Sequence, residues 1–230
     1  SDYNTTGSID SRVKANPSYG QSIVSFTGNV TAGATVGHGL SSAPEMYIVK
    51  SRTTSATDWW TYHTSIGATH SLRLNNTSAA YDDNTIWNDT APTNAVFSLG
   101  NYADINKSGE PLIAYCFHSV TGYSKFGSYT GNGGSNAITT GFTPAFVMMK
   151  STSATGSWGM FDNTRTPYNP IDKALFANLS IAEFSLANMI TFTNTGFTIN
   201  ISRDFMNING TSYIYMAFAD TREYAYWLDQ

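Results

Sequence analysis

The feature that most constrains this sequence is an internal repeat. Phe26-Thr-Gly-Asn29 corresponds to Tyr129-Thr-Gly-Asn132, and Met46-Tyr-Ile-Val-Lys50 corresponds to Phe146-Val-Met-Met-Lys150. Further pairs in the same order are Ser55-Ala-Thr57 with Ser153-Ala-Thr155, Trp59 with Trp158, Asn75 with Asn178, and Phe97 with Phe197. An offset of about one hundred residues is typical of a sandwich-sized unit, because solenoid repeats span roughly 20–50 residues. The chain is therefore predicted to contain one structural motif twice.

The segments inside each copy have the patterns of β-strands. Segments 45–50 and 145–150 are apolar on both faces, as a buried central strand is. Each half closes with a further strand, 112–118 and 213–219, whose side chains alternate between two faces. Few charged residues (12%) and many aromatic residues (14%) suit short strands joined by Gly, Asn and Ser turns. We predict an all-β fold of two tandem, related antiparallel β-sandwich units, jelly-roll or lectin-like, with a pseudo-twofold internal repeat.

The repeat also predicts the domain boundaries. Residues 1–17 have no counterpart and are expected to form a polar linker. The first sandwich is expected over 18–119 and the second over 120–220. Residues 221–230 contain three aromatic side chains, so they are expected to begin a continuation of the chain or to contact a partner.

Charge and apolar runs argue against two classes of partner. The net charge is −4 and the basic residues are scattered, whereas binding to nucleic acid needs clustered Lys and Arg. We expect no nucleic-acid partner. No apolar run approaches the roughly 20 residues of a membrane-spanning helix, so membrane insertion is not expected either. Cys116 is the only cysteine and has Ala217 as its counterpart, which indicates a packing role.

The sequence offers no catalytic constellation, so we do not expect an enzyme. The repeat places His63 opposite Asp162 and His118 opposite Ala219, which makes these histidines substitutions within a framework rather than members of one site. Nucleophile-elbow, zinc-protease and phosphate-loop motifs are not found in the sequence. No catalytic residue is assigned.

Candidate ligand-binding residues are those that the two copies do not share. Trp60 and Trp87 have no counterpart, and a sugar face docks readily on an aromatic ring. Arg165 and Tyr168 belong to an unmatched loop, Arg165-Thr-Pro-Tyr-Asn-Pro170, and loops commonly carry recognition. The alternative for each of these four residues is a purely structural role.

One oxygen-rich stretch could bind a metal. Asp82, Asp83 and Asp89 lie close together in sequence, and Ca²⁺ takes six to eight oxygen ligands. Asp and Asn are also ordinary loop residues, so Ca²⁺ is the one ion considered and no other metal or cofactor is expected.

Several longer strings resemble a known family. These are Val36-Gly-His-Gly-Leu-Ser-Ser-Ala-Pro44, Trp87-Asn-Asp-Thr-Ala-Pro92 and Ile113-Ala-Tyr-Cys-Phe-His118. They are similar to a repeated domain of unknown function in large structural and tail-associated proteins of marine tailed phages, including cyanophages. The resemblance covers roughly residues 18–220. It implies a virion protein assembled in the bacterial cytoplasm, with a role in attachment, and it transfers no catalytic residue.

The resulting hypothesis is a phage virion surface protein, either a tail fibre or a receptor-binding module, that attaches to a host-surface glycan or protein. Contacts with other virion proteins and a homo-oligomer are expected, with a trimer favoured by analogy with threefold fibres. One alternative is a structural spacer or capsid decoration domain without a ligand. A second is a polysaccharide depolymerase, which needs a pair of acids in a groove. A cellular adhesin or surface-layer protein is a further possibility.

Overall fold

A computed structural model describes residues 1–221 of the chain. These residues form two compact units. Unit 1 comprises Ser1–Asn75 and Ala80–His118, and unit 2 comprises Asn76–Ala79 and the chain from Ser119 onward. Every strand pairing within the sheets is antiparallel, and the few helical segments are single turns, so the predicted all-β antiparallel class is confirmed. None of the helices in the described residues is long and apolar enough to span a membrane.

Unit 1 is built from an eight-stranded sheet and a two-stranded sheet. Its elements are β1 (Asp2–Asn4), β2 (Ser11–Asn16), β3 (Gln21–Thr27), β4 (Ala34–Gly37), β5 (Met46–Ser51), β6 (Trp60–His63), β7 (His70–Arg73), β8 (Tyr81–Asp82), α1 (Asn84–Trp87), β9 (Val96–Leu99), α2 (Ala103–Asn106) and β10 (Pro111–Phe117). A single 3-10 turn, Pro17–Tyr19, joins β2 to β3. The large sheet has the order β1-β2-β3-β10-β5-β6-β7-β8, and β4 pairs with β9.

The core of unit 1 follows from alternation along its central strands. In β10 the side chains of Leu112, Ala114 and Cys116 are fully buried, while the residues between them are partly exposed. They join side chains of the β4–β9 pair, such as Val36 and Phe97, in one apolar cluster. Burial raises the pKa of the Cys116 thiol to about 12, which keeps it protonated and unreactive. Cys116 is therefore a packing residue, as predicted.

The N-terminal residues do not form the expected linker. β1 and β2 pair with each other, and β2 pairs with β3, so residues 1–17 supply two strands of the large sheet. Ser11 and Val13 are buried while Arg12 and Lys14 are exposed, which is the alternation of a half-buried strand. The prediction was wrong because these strands have no copy in the second half of the sequence.

Unit 2 has a single eight-stranded sheet in its described part. Its strands are β11 (Ser124–Thr130), β12 (Asn136–Thr139), β13 (Pro144–Ser151), β14 (Gly159–Asp162), β15 (Ile171–Phe176), β16 (Phe184–Thr193), β17 (Gly196–Ile199) and β18 (Ser212–Ala219). They follow the order β11-β18-β13-β14-β15-β16-β17-β12. The core is rich in Phe and Met, with Met149, Phe161, Met189, Met206 and Phe197 almost fully buried.

Corresponding strands occupy corresponding places in the two sheets. The order β3-β10-β5-β6-β7 in unit 1 matches β11-β18-β13-β14-β15 in unit 2, and the β4–β9 pair matches the β12–β17 pair. The register agrees as well, because Lys50 lies opposite Ile113 and Lys150 lies opposite Ile214. One difference is β16, which links β15 to β17 and so joins the two parts into one sheet.

A buried asparagine fixes the same turn in both units. Asn106 accepts a hydrogen bond from the backbone N–H of Asn29 at 2.9 Å, and Asn207 accepts one from Asn132 at 3.0 Å. Each side-chain amide also donates to the carbonyl two residues further along that turn, Thr31 at 3.0 Å in unit 1 and Gly134 at 2.6 Å in unit 2. Both asparagines are fully buried, so these bonds satisfy groups that would otherwise be costly to bury.

The predicted tail 221–230 lies outside the described residues except for Thr221.

Candidate functional site

Trp60 is a core residue rather than a ligand contact. Its exposed fraction is 1%, and its indole N–H donates to Asp104 Oδ2 at 3.0 Å. The guanidinium of Arg73 lies 5.5 Å from the ring centroid, where a cation is attracted to the ring face. The expected sugar-stacking role is wrong, because the ring is closed off on both faces by protein.

Trp87 is buried as well. It ends the single-turn helix α1 with no exposed surface, and its ring lies 4.9 Å from that of Tyr47 and 6.4 Å from that of Tyr62. Asp83 caps the first turn of this helix by accepting from the backbone N–H of Thr85. The ligand-binding prediction for Trp87 is therefore wrong too, since a residue present in one copy can fill the core of that copy.

The three aspartates considered as calcium ligands lie in different local structures. Asp83 Oδ1 accepts from the backbone N–H of Thr85 at 2.9 Å and from its hydroxyl at 2.6 Å. Asp82 lies in β8 opposite His70, and Asp89 has a left-handed backbone with φ of 48°. Among residues 1–221, no group of three or more His, Cys, Asp or Glu side chains is placed to hold a metal ion. Calcium binding stays a prediction.

Arg165 anchors the loop that connects β14 to β15. Its Nε donates to Asp162 Oδ2 at 2.7 Å and its Nη1 donates to Glu183 Oε2 at 2.9 Å. A third bond joins its Nη2 to the carbonyl of Met160 at 3.3 Å. Burial acts to raise the pKa of Asp162, but the bonds from Arg165 outweigh it and leave that pKa lowered. Arg165 thus holds the loop in place and has little free bonding capacity for a ligand.

The same loop is fixed at its other end by Asn169. The side-chain amide of Asn169 donates to the Phe192 carbonyl at 2.7 Å and accepts from the Phe192 N–H at 3.0 Å. Between Asn169 and Arg165 stands Tyr168, whose exposed fraction is 79%. Tyr168 is therefore an exposed aromatic ring on a loop whose two ends are held by side-chain hydrogen bonds.

Charged and exposed apolar side chains follow this loop along the chain of unit 2. Lys173 donates to Ser185 Oγ at 2.8 Å and lies 3.8 Å from Glu183. The loop between β15 and β16 exposes Leu179 and Ile181, at 42% and 55%. An exposed tyrosine on an anchored loop suits contact with a glycan or a protein surface. The carboxylates of Asp162 and Glu183 are both paired with Arg165.

The histidine of the first glycine turn has a structural role. His38 is fully buried, and its Nε2 lies 3.1 Å from the Thr93 carbonyl while its Nδ1 accepts from the backbone N–H of Leu40 at 3.2 Å. Burial lowers the pKa of His38, which favours the neutral ring that this bonding pattern requires. Both ring nitrogens are engaged within the fold.

The described residues thus form an all-β protein of two units, and the second unit exposes an aromatic side chain, Tyr168, on an anchored loop. A family model described as Domain of unknown function (DUF7483) matches residues 1–222, so the chain belongs to that family. Comparison with curated proteins and with solved structures gives no match.

Proposed function

We propose that this protein is a non-enzymatic module on the surface of a tailed-phage virion, part of a tail fibre or receptor-binding protein, that attaches to a host-surface glycan or protein. The sequence resemblance to tail-associated proteins of marine phages supports the virion location. We further propose assembly in the bacterial cytoplasm, contacts with other virion proteins and a homo-oligomer, with a trimer favoured because fibres are commonly threefold.

The proposal includes a duplicated architecture of two related, lectin-like sandwich units. Three features support it: the matching strand orders, the shared register of Lys50 and Lys150, and the equivalent buried residues Asn106 and Asn207. A duplicated scaffold can keep its shared residues for stability and vary the remainder. Recognition then falls on segments found in one copy only.

The observation that carries the attachment role is the exposure of Tyr168. A tyrosine that is 79% exposed brings a large amphipathic surface to a partner. Because Arg165 and Asn169 already hold the loop, binding costs little additional ordering entropy. This combination is typical of preorganised recognition loops.

A binding experiment with a matched tyrosine control tests the proposal. The purified chain is presented to a glycan array and to marine cyanobacterial cells, together with Tyr168→Ala and Tyr19→Ala. Tyr19 is also exposed, at 52%, but it lies in unit 1. We expect wild type and Tyr19→Ala to bind, and Tyr168→Ala to lose about tenfold in affinity, equivalent to roughly 1.4 kcal/mol.

Three results would overturn the proposal. No binding by the wild type at millimolar glycan or to host cells would favour the spacer or decoration role. Equal binding by the two variants would remove Tyr168 from the contact. Release of reducing sugar from host polysaccharide would identify a depolymerase.

A further inference from the structure

A second candidate site is a groove on unit 1 that contains two arginines. Its volume is about 330 Å³, and its wall includes Tyr3, Asp10, Arg12, Ser25, Thr27 and Arg52. Small-molecule sites commonly have volumes of roughly 300–1,000 Å³, so the groove is of a size for one or two sugar residues.

The antiparallel register brings the groove residues together. Tyr3 of β1 lies opposite Arg12 of β2, and Arg12 lies opposite Ser25 of β3. Side chains in one cross-strand row project from the same face of a sheet. The neighbouring residues Ser11 and Val13 are buried, so this row lies on the solvent face.

Arg52 reaches the same row from the opposite direction. It follows the end of β5, which is separated from β3 by β10 in the sheet order. Its Nη1 donates to Ser25 Oγ at 3.4 Å, a long hydrogen bond that an incoming ligand could replace. Arg12 and Arg52 therefore flank Ser25, one from the neighbouring strand β2 and the other from the end of β5.

The charges of this groove are available to a ligand. Neither Arg12 nor Arg52 takes part in an ion pair with the residues that the structure describes, and both side chains are exposed. The one acid among the groove residues, Asp10, accepts a hydrogen bond from the Tyr3 hydroxyl. A guanidinium binds carboxylate or sulfate oxygens through two parallel N–H donors.

The described part of unit 2 has no counterpart of the β1–β2 hairpin that forms one wall of this groove. In the described part of the chain, β11 ends its sheet with no hairpin beyond it, whereas the equivalent β3 is extended by β2 and β1. Thr152 stands at the place of Arg52, following Ser151 as Arg52 follows Ser51, and its hydroxyl donates to the Ser212 carbonyl at 3.1 Å. Among the described residues, this arginine pair is thus present in unit 1 and has no equivalent in unit 2.

We propose that this groove binds an anionic saccharide, with a carboxylate or sulfate group held between Arg12 and Arg52. The Tyr3 ring, 62% exposed, flanks the groove and offers a surface on which a sugar ring stacks. The hydroxyl groups of Ser25 and Thr27 lie where they can bond sugar hydroxyls. This inference deepens the proposed attachment function and rests on it for its biological role, but its residues are separate from the Tyr168 loop.

Calorimetric titration with defined oligosaccharides tests the groove. The probes are an oligogalacturonate, a sulfated oligosaccharide, and the neutral oligosaccharide in which the carboxylates are reduced. We expect one or both anionic probes to bind and the neutral one to bind at least about tenfold more weakly, because the charge-assisted bonds are lost.

Variants that each remove one positive charge test whether the anionic probe binds in this groove. Arg12→Gln and Arg52→Gln are expected to weaken binding of the anionic probe about tenfold each, whereas Arg203→Gln, an exposed arginine of unit 2, leaves it unchanged. Circular dichroism checks that each variant is folded. Equal binding of neutral and anionic probes, unchanged affinity in the Arg12 and Arg52 variants, or an equal loss in Arg203→Gln would overturn the inference.

The two proposals fail separately. Host-cell binding without any affinity for the anionic probes removes the groove and leaves the attachment function. Binding of the anionic probes without host-cell binding keeps the groove and removes the attachment function.

Discussion

The two units fill one equivalent core position in opposite ways. In unit 1, Trp60 is the first residue of β6, directly after Trp59, and donates its indole N–H to Asp104. In unit 2 the same place, after Trp158, is taken by Gly159, and a Cβ there would lie only 3.1 Å from Phe205 Cδ2. Asp104 and Phe205 themselves correspond, because each lies two residues before the buried asparagine of its unit.

This exchange shows how the repeated scaffold tolerates variation. A Trp–Asp pair in unit 1 is replaced by a Gly–Phe pair in unit 2, so the space is filled from one strand in unit 1 and from the opposing turn in unit 2. Residues that differ between the units therefore include compensating core pairs as well as candidate contact residues. Difference between copies alone does not indicate exposure.

The largest expected effect comes from emptying this position in unit 1. Trp60→Ala removes a fully buried ring and leaves Asp104 without its indole donor, so we expect a loss of about 3–5 kcal/mol in the free energy of unfolding. Urea unfolding followed by circular dichroism measures it. Trp59→Ala, at a partly exposed neighbour, is the control, and an equal loss in both variants would contradict the assignment of Trp60 to the core.

The second test asks whether the two buried asparagines are equivalent. Asn106→Ala and Asn207→Ala each leave buried backbone groups unpaired, so we expect each to cost about 2–3 kcal/mol. Asn94→Ala, at an exposed loop position, should change stability by less than about 0.5 kcal/mol. If one buried asparagine were costly to remove and the other were not, the equivalence of the two turns would fail.

The third test concerns Lys150 of unit 2. It is fully buried, donates to the carbonyls of Thr77 and Ser151, and has a pKa lowered to about 8, chiefly by desolvation. Its unfolded pKa is near 10.5, so between about pH 8 and pH 10 the unfolded chain binds more protons and stability rises with pH. Lys150→Met should abolish that rise. Parallel stability curves for the variant and the wild type over this range would contradict it.

The smallest effect is confined to acid pH and to unit 1. Hydrogen bonds from the hydroxyl groups of Ser51 and then Thr53 lower the pKa of Glu110 to about 2, although burial opposes them. The stabilisation is complete above the ordinary value of 4.5 and is lost as the pH falls toward 2. Unit 2 has Thr211 at this place, so acid should weaken unit 1 in particular. Glu110→Gln should reduce the loss of stability between about pH 4.5 and pH 2. An unchanged loss would contradict the role given to the hydrogen bonds from Ser51 and Thr53.

The sequence predicted what the two copies share. The buried strands β5 and β13, the closing strands β10 and β18 and the glycine turns all lie where the repeat indicated, because apolar alternation and turn chemistry are local signals. The equivalence of Asn106 and Asn207 could also be found in the sequence, since each residue begins an Asn-X-X-Gly string.

The remainder depended on contacts that no local pattern reveals. β1 and β2 were missed because they have no copy, and with them the groove that contains Arg12 and Arg52. The inward orientation of Trp60 depends on strand register, and that of Trp87 depends on the placement of α1 against the core, neither of which a comparison of copies can supply. Of the four candidate contact residues, Arg165 proved to be an anchor and Tyr168 alone is largely exposed.

The central claim is that both units share one scaffold and that ligand binding is confined to residues found in only one unit. Chemical-shift mapping by NMR tests this claim most directly. With the anionic oligosaccharide that binds, the account predicts shifts at Arg12, Ser25 and Arg52 of unit 1. It predicts no shifts at Ser128 and Thr152, the matching positions of unit 2. Equal shifts at both sets of positions would contradict it.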